Sequence, residues 1–178
     1  HVPQVADMST NLADILRFCI SPEEFVPLRR ETEIVARYVE IQRIRLSGSF
    51  AFVLNIPPEL EEALVPKMML QPLVENAILH GLSGQPDGEI QIQAWSRGDV
   101  LTLAVRDNGH GLPPELEGPY ASRDRERSRG HLGLYNVDTI LRKHYGAQFG
   151  LFLSNRTDCA GAQITAVLPL HIKEEEPC

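Results

Sequence analysis

The 178-residue chain is 43% hydrophobic and 23% charged, the composition of an ordinary folded domain with enough apolar side chains for a core. Its net charge of -7 excludes a basic nucleic-acid scaffold, because the one arginine cluster, Arg123, Arg125, Arg127 and Arg129, alternates with Asp124 and Glu126. No apolar run reaches a membrane span, no signal-peptide pattern is present, and Cys19, Cys159 and Cys178 lack metal-ligand spacing, so they read as reduced thiols.

Two helical segments come first. Leu12, Ile15, Leu16 and Cys19 recur at helical spacing over 9–19. After Ser21-Pro22, the pattern over 28–46 places Ile34, Tyr38, Ile41 and Arg45 on one stripe with Val35 and Val39 beside it, and its Arg, Glu and Gln residues on the opposite face. Residues 50–56 are β-rich and stop at Pro57-Pro58. Residues 68–82 form the next predicted helix, burying Leu70, Leu73, Val74, Ala77 and Ile78, with Pro72 tolerated in its first turn. Two alternating strands follow, carrying Ile90, Ile92 and Ala94, then Leu101, Leu103 and Val105, joined by a turn at Arg97-Gly98-Asp99. A polar loop rich in Gly and Pro spans 108–130, long enough to suggest a lid. A helix over 132–145 ends at Gly146, and strands over 148–155 and 162–168 precede the acidic tail Glu174-Glu175-Glu176. This order predicts an α+β fold, a two-layer sandwich with one mixed sheet covered by helices on one face and a short helical segment before it.

Three clusters carry chemistry. Glu75 and Asn76 are expected to leave their helix away from the core stripe, with His80 on the flank of Asn76. The Asn76 carbonyl oxygen is a suitable hard ligand for Mg²⁺, and a carboxylate beside it can orient a group or accept a proton. Asp107-Asn108-Gly109-His110-Gly111 follows a strand, where glycines permit close approach of a ligand and the carboxylate can accept from an exocyclic amine. Gly130-His131-Leu132-Gly133-Leu134 leads into a helix whose free N–H groups suit phosphates. Each cluster alone also reads as an exposed helix face, a plain turn or a plain helix start, and there is no Walker A or dinucleotide fingerprint.

In this order the clusters resemble the nucleotide-binding boxes of the ATPase superfamily of gyrase, the heat-shock chaperone, histidine kinases and MutL. The stretches Leu12-Ala13-Asp14-Ile15-Leu16-Arg17-Phe18, Val26-Pro27-Leu28, Glu33 to Gln42 with Arg45, and Leu70 to Ile78 resemble LytS-like sensor histidine kinases. The resemblance covers about residues 10–170. It implies a Bergerat-type ATP-binding fold with ATP and Mg²⁺ as ligands. Asn76 would hold the metal, and Glu75 would stand beside the transferred phosphoryl. Asp107 would bond the adenine amine, and Gly109 and Gly111 would shape the pocket and lid hinge. His80, Gly130, His131, Leu132, Gly133 and Leu134 would border the nucleotide. The implied domains are a helical segment at 1–47 from the phosphoacceptor region, the catalytic domain at 48–172 with a lid at 112–129, and a tail at 173–178. Leu79, His131 and Ala162 depart from the usual Lys or Arg, Gly and Thr.

None of the six histidines lies in an H-F-L-F-N-like motif, so the phosphoacceptor is expected upstream of His1. The implied partners are that upstream helix, in a homodimer of the full-length protein, and a response regulator. The implied location is a cytoplasmic domain of a parent in the bacterial inner membrane, reached only through upstream segments. The alternatives are a gyrase- or MutL-type ATPase, an anti-sigma Ser/Thr kinase, or an interaction module that has lost its nucleotide.

Overall fold

The computed structural model of the chain describes residues 2–46, 50–82, 87–120 and 132–172. Helices α1 (Val2–Ile20) and α2 (Leu28–Leu46) open the chain and pack on each other. Between them, β1 (Phe25–Pro27) pairs antiparallel with β3 (Leu64–Pro66), a two-stranded clasp that the sequence pattern did not predict. Strand β2 (Ala51–Asn55) lies between α2 and β3. The predicted helix over 68–82 divides into α3 (Leu70–Asn76) and a π-helical turn, Ala77–Gly81. There follow β4 (Glu89–Arg97), β5 (Val100–Asp107), the two-residue β6 (Gly118–Pro119), α4 (Leu132–Tyr145), β7 (Gly150–Asn155) and β8 (Ala162–Pro169).

The main sheet has the order β2-β4-β5-β8-β7-β6, with β2 parallel to β4 and every other pairing antiparallel. This is the predicted mixed sheet of an α+β sandwich. Alternation along β4, β5, β7 and β8 puts Ile90, Ile92, Leu101, Leu103, Leu151, Leu153, Ile164 and Leu168 in the core. The β4–β5 hairpin turns on Gly98 and Asp99, with Gly98 at φ 58°, the left-handed backbone a tight hairpin demands. Helix α4 stops at Gly146, whose N–H reaches the Arg142 carbonyl at 2.9 Å. The buried Asp138 then ties α4 to the sheet, accepting from the Leu151 N–H at 2.7 Å and from Arg142 at 2.8 Å.

Helix α2 has the predicted bounds, but its polar residues do not all face water. Glu31 is only 1% exposed and Gln42 is buried as well, while Arg45, placed on the apolar stripe, is exposed. The inward face is Leu28, Glu31, Thr32, Val35, Val39 and Gln42. Glu31 is inside because it has a task there. Its Oε1 accepts from the Met68 N–H at 2.5 Å and its Oε2 from the Leu70 N–H at 3.1 Å, amides at the start of α3 that no intrahelical carbonyl reaches. No residue within α3 supplies a side-chain cap, so the cap comes from another helix.

Burial raises Glu31 to about 7, and its bonds to Leu70, Met68 and Met69 with the charge of Lys67 only partly oppose this. A carboxyl raised in the folded state adds stability that is full below the unfolded value, near pH 4.5, and is lost as pH rises through about 7. The wild-type midpoint of thermal unfolding should therefore fall across that window, and Glu31→Gln should flatten this part of the profile. Glu31→Ala should cost about 1–3 kcal/mol by stranding buried N–H groups, read from denaturant unfolding.

Candidate nucleotide site

The site is built at the ends of the central strands. Asp107 is the last residue of β5, and alternation places it on the helix-covered face with Val105. It is only 4% exposed. Its Oδ1 accepts from the Gly109 N–H at 2.9 Å and from the Ala162 N–H at 3.2 Å. Burial raises the Asp107 carboxyl above its ordinary value despite both bonds and the nearby Arg156 and His110. At Ala162 the contact is through the backbone, so it does not require a particular side chain. Arg156 supports the other side of Asp107, donating to its carbonyl at 3.2 Å, and is itself held by Asp158.

The π-helical turn closes over this carboxylate. A Cβ on Gly81 would stand 2.7 Å from the Asp107 carboxyl carbon, and one on Gly109 would stand 1.9 Å from the Gly81 carbonyl oxygen. Gly81 thus proves to be a site-shaping residue that the sequence reading did not single out. His110 adds an N–H bond to the same carbonyl at 3.3 Å.

Beyond the turn, a cavity of about 210 Å³ is lined by Pro72, Glu75, Asn76, Leu79, His80, Leu132, Gly133 and Leu134. Six residues picked from two distant sequence clusters therefore meet at one opening. Glu75 and His80 are exposed there, whereas Asn76 is 8% exposed, so the expectation that Glu75 and Asn76 leave the helix together is corrected. The Asn76 side belongs to the packed wall of the cavity. Gly133 has a packing reason of its own: a Cβ there would lie 2.9 Å from the Pro72 Cβ, so its absence lets α4 start close against α3. Leu79, at the departure from Lys or Arg, is 45% exposed at the rim.

Gly130 and His131 lie outside the described residues, as do 121–129 of the predicted lid. The described part, 112–120, is tied to the sheet edge. Asn155 accepts from the Leu112 N–H at 2.6 Å and donates to the Leu112 carbonyl at 2.9 Å, β6 pairs with β7, and Tyr120 is buried. Gly111 enters this segment at φ 78°, where a Cβ would meet Asn155 at 2.5 Å.

Helix α2 reaches the site from behind. Burial, then the neighbouring Glu75 charge, pushes the half-buried Tyr38 hydroxyl up to about 12. Among the described residues, no group of three or more His, Cys, Asp or Glu could hold a metal by protein ligands alone. A hard cation here would take few protein ligands and fill its shell with ligand phosphates and water, as Mg²⁺ does. A larger cavity of about 690 Å³ between α1, α2 and β1 holds none of the predicted residues. Its arginines are already paired, Arg17 and Arg37 with Asp14, Arg30 with Glu33 and Arg29 with Glu62.

Comparison with known proteins gives the family and the fold. The sequence profile described as "Histidine kinase-, DNA gyrase B-, and HSP90-like ATPase" matches residues 62–172, and a profile described as "Histidine kinase" matches residues 1–50. Sensor histidine kinase YesM of Bacillus subtilis is 31% identical over 93% of this chain and 28% of its own length. Sensor protein LytS of Bacillus anthracis is 29% identical over 85% of this chain and 26% of its own. The chain thus spans about a quarter of the length of the curated relatives it matches. The solved catalytic domain of histidine kinase ThkA superposes with a TM-score of 0.64 at 19% identity, covering 84% of this chain and 97% of that domain, which establishes the shared fold.

Gly109→Ala tests the closeness of the π-helical turn to the Asp107 loop. The new methyl group would be forced against a backbone carbonyl, so thermal unfolding should show a loss of about 1–3 kcal/mol, with the turn displaced.

Proposed function

Because the chain belongs to the histidine kinase-, DNA gyrase B- and HSP90-like ATPase family, we propose that its site binds Mg-ATP and presents the γ-phosphoryl group to a histidine of the parent protein. The chain corresponds to the catalytic, ATP-binding part of a sensor histidine kinase. The observation that carries the site assignment is that the buried Asp107 and the Glu75–Asn76–His80 cavity flank one π-helical turn.

In this assignment the Asp107 carboxylate accepts from the exocyclic amine of adenine. Two backbone donors already fix its Oδ1, so its orientation is set before the ligand arrives. The glycines at 81, 109 and 111 let the π-helical turn, the Asp107 loop and Asn155 pack closely around the proposed base site. The Asn76 oxygen offers one ligand to Mg²⁺, whose chemistry when bound is to neutralise charge on the phosphates. His80, Leu132, Gly133 and Leu134 border the phosphates, with Gly130 and His131 preceding them in the chain. Glu75, exposed at the rim, faces the incoming imidazole. An imidazole nitrogen attacks the γ-phosphorus, the bond to the ADP oxygen breaks, and the imidazole proton passes to Glu75 or to water.

None of the six histidines stands in the expected acceptor motif, and the acceptor is placed in the full-length protein upstream of residue 1. Residues 1–47 would belong with that acceptor region, 48–172 would form the catalytic domain, and 112–129 would serve as the lid. A homodimer of the parent and a response regulator are the proposed protein partners. Support for the latter is that ThkA, which superposes at a TM-score of 0.59 over 94% of this chain and 48% of its own, was solved in complex with response regulator protein TrrA. No helix among the described residues is long and apolar enough to cross a membrane, and the parent is proposed to reach the bacterial inner membrane through other segments.

Calorimetric titration with a non-hydrolysable ATP analogue tests the assignment. The wild-type chain should bind, and Asp107→Asn should weaken binding about 10- to 100-fold, as expected for losing a hydrogen bond to a charged group. Incubation with Mg²⁺ and γ-labelled ATP should leave the 178-residue chain unlabelled, and acid-labile label on one of its histidines would contradict the acceptor assignment.

A further inference from the structure

Asp107 lies just beyond the point where the ladder between β5 and β8 stops. The last registered pair there is Arg106 with Gln163, and β7 and β8 part at Asn155 and Ala162. From that point the loop 156–161 is held to the end of β5 by side chains. The Arg156 N–H closes the loop on the Gly161 carbonyl at 2.9 Å. The Arg156 guanidinium then reaches back, donating through Nη1 to the Asp107 carbonyl at 3.2 Å. Its other edge forms a fork on Asp158, Nε to Oδ1 at 3.0 Å and Nη2 to Oδ2 at 2.9 Å. From β5, Arg106 Nη2 stands 3.0 Å from both oxygens of the same carboxylate.

One carboxylate thus binds two guanidinium groups, and one of these belongs to the chain neighbour of Asp107. The bonds from Arg156 hold the Asp158 carboxyl well below the usual carboxylate range, so it stays charged. This matters because a guanidinium bonded to the Asp107 carbonyl is within reach of the carboxyl group of the same residue. A forked arginine–carboxylate pair is stronger than a single bond to a carbonyl. Without Asp158, Arg156 would turn its fork toward Asp107 and cover the oxygen that the Gly109 and Ala162 amides leave to a ligand. In the structure Asp158 fills the fork instead.

We propose that Asp158 is a positioning residue for base recognition: it holds Arg156 on the Asp107 carbonyl and off the Asp107 carboxylate, which keeps Oδ2 open to an amine donor. This inference rests on the proposed nucleotide site and adds to it a group outside the pocket that sets its preference for a base. A carboxylate with an open oxygen selects an exocyclic amine and rejects a carbonyl at the same place, since two acceptors cannot bond each other. An arginine laid over that carboxylate removes part of this selection, because a guanidinium donates to a carbonyl.

ADP and IDP are the probes, since their bases carry an amine and a carbonyl at the same ring carbon. Calorimetric titration of the 178-residue chain gives the ratio of ADP to IDP affinity. The wild-type chain should favour ADP. Asp158→Ala should lower the ratio about 3- to 10-fold, the scale of losing one or two exposed ion pairs. Removing the released arginine as well, in Asp158→Ala with Arg156→Gln, should restore the ratio. Glu62→Gln, which breaks another exposed pair, with Arg29 at the start of α2, should leave it unchanged. An unchanged ratio in Asp158→Ala would overturn the proposal, as would a ratio that stays low in the double variant or falls equally in Glu62→Gln. A wild-type chain that bound neither nucleotide, or both equally, would instead overturn the assignment of Asp107 to the base, and this inference with it.

Discussion

The site depends on a carboxylate withdrawn from water at the end of a central strand. Asp107 could not stay buried without donors, since an isolated ionised carboxyl in a protein interior is strongly disfavoured. The Gly109 and Ala162 amides supply them, and both converge on the same oxygen. Burial still outweighs these bonds and leaves the carboxyl raised. The group is therefore oriented by the protein and would be further stabilised by a ligand that donates to it. The conformations around it follow from this constraint. Gly81 must lack a side chain for the π-helical turn to pass over the carboxyl, Gly109 must lack one to pass under that turn, and Gly161, at φ 125°, must lack one beside the Asp107 carbonyl.

At the other end of the turn the physics differs. Asn76 is held in a packed wall between α3 and the start of α4, where Gly133 lets the two helices come close over Pro72. The position of this wall is set from outside, by the buried Glu31 of α2. One end of the site is thus anchored to the sheet and the other to the helical segment. In the proposed function the base-recognising end is the one fixed by the sheet, and the phosphate-facing end is the one whose helix is capped from α2.

Much of this was legible in the sequence. Alternation and the turn at Gly98 and Asp99 identified β4 and β5, because one face of an antiparallel sheet is buried and the pattern has no other solution, but Asp107, expected just past the strand, is its last residue. Periodicity fixed α2 and α4 to their observed bounds, and Gly146 marked the end of α4. What periodicity could not reveal is a polar residue that belongs inside. Glu31 looks like a solvent-facing position until the start of α3 is present to use it, and Gln42 is buried beside it on the same inward face. The π-helical turn was likewise hidden, since the contacts of its Gly81 with Asp107 and Gly109 lie far apart in the sequence. The burial of Asn76 beside the exposed Glu75 follows from packing against α4, again a contact between distant parts of the chain.

The central claim is that the Asp107 end and the Asn76 end serve one ligand. Amide hydrogen exchange, followed residue by residue while Mg²⁺ and AMP-PNP are added, tests it most directly. The account predicts slowed exchange at Gly81, Gly109 and residues 132–134 with a common midpoint in ligand concentration. Slowing confined to one end, or two separate midpoints, would contradict it.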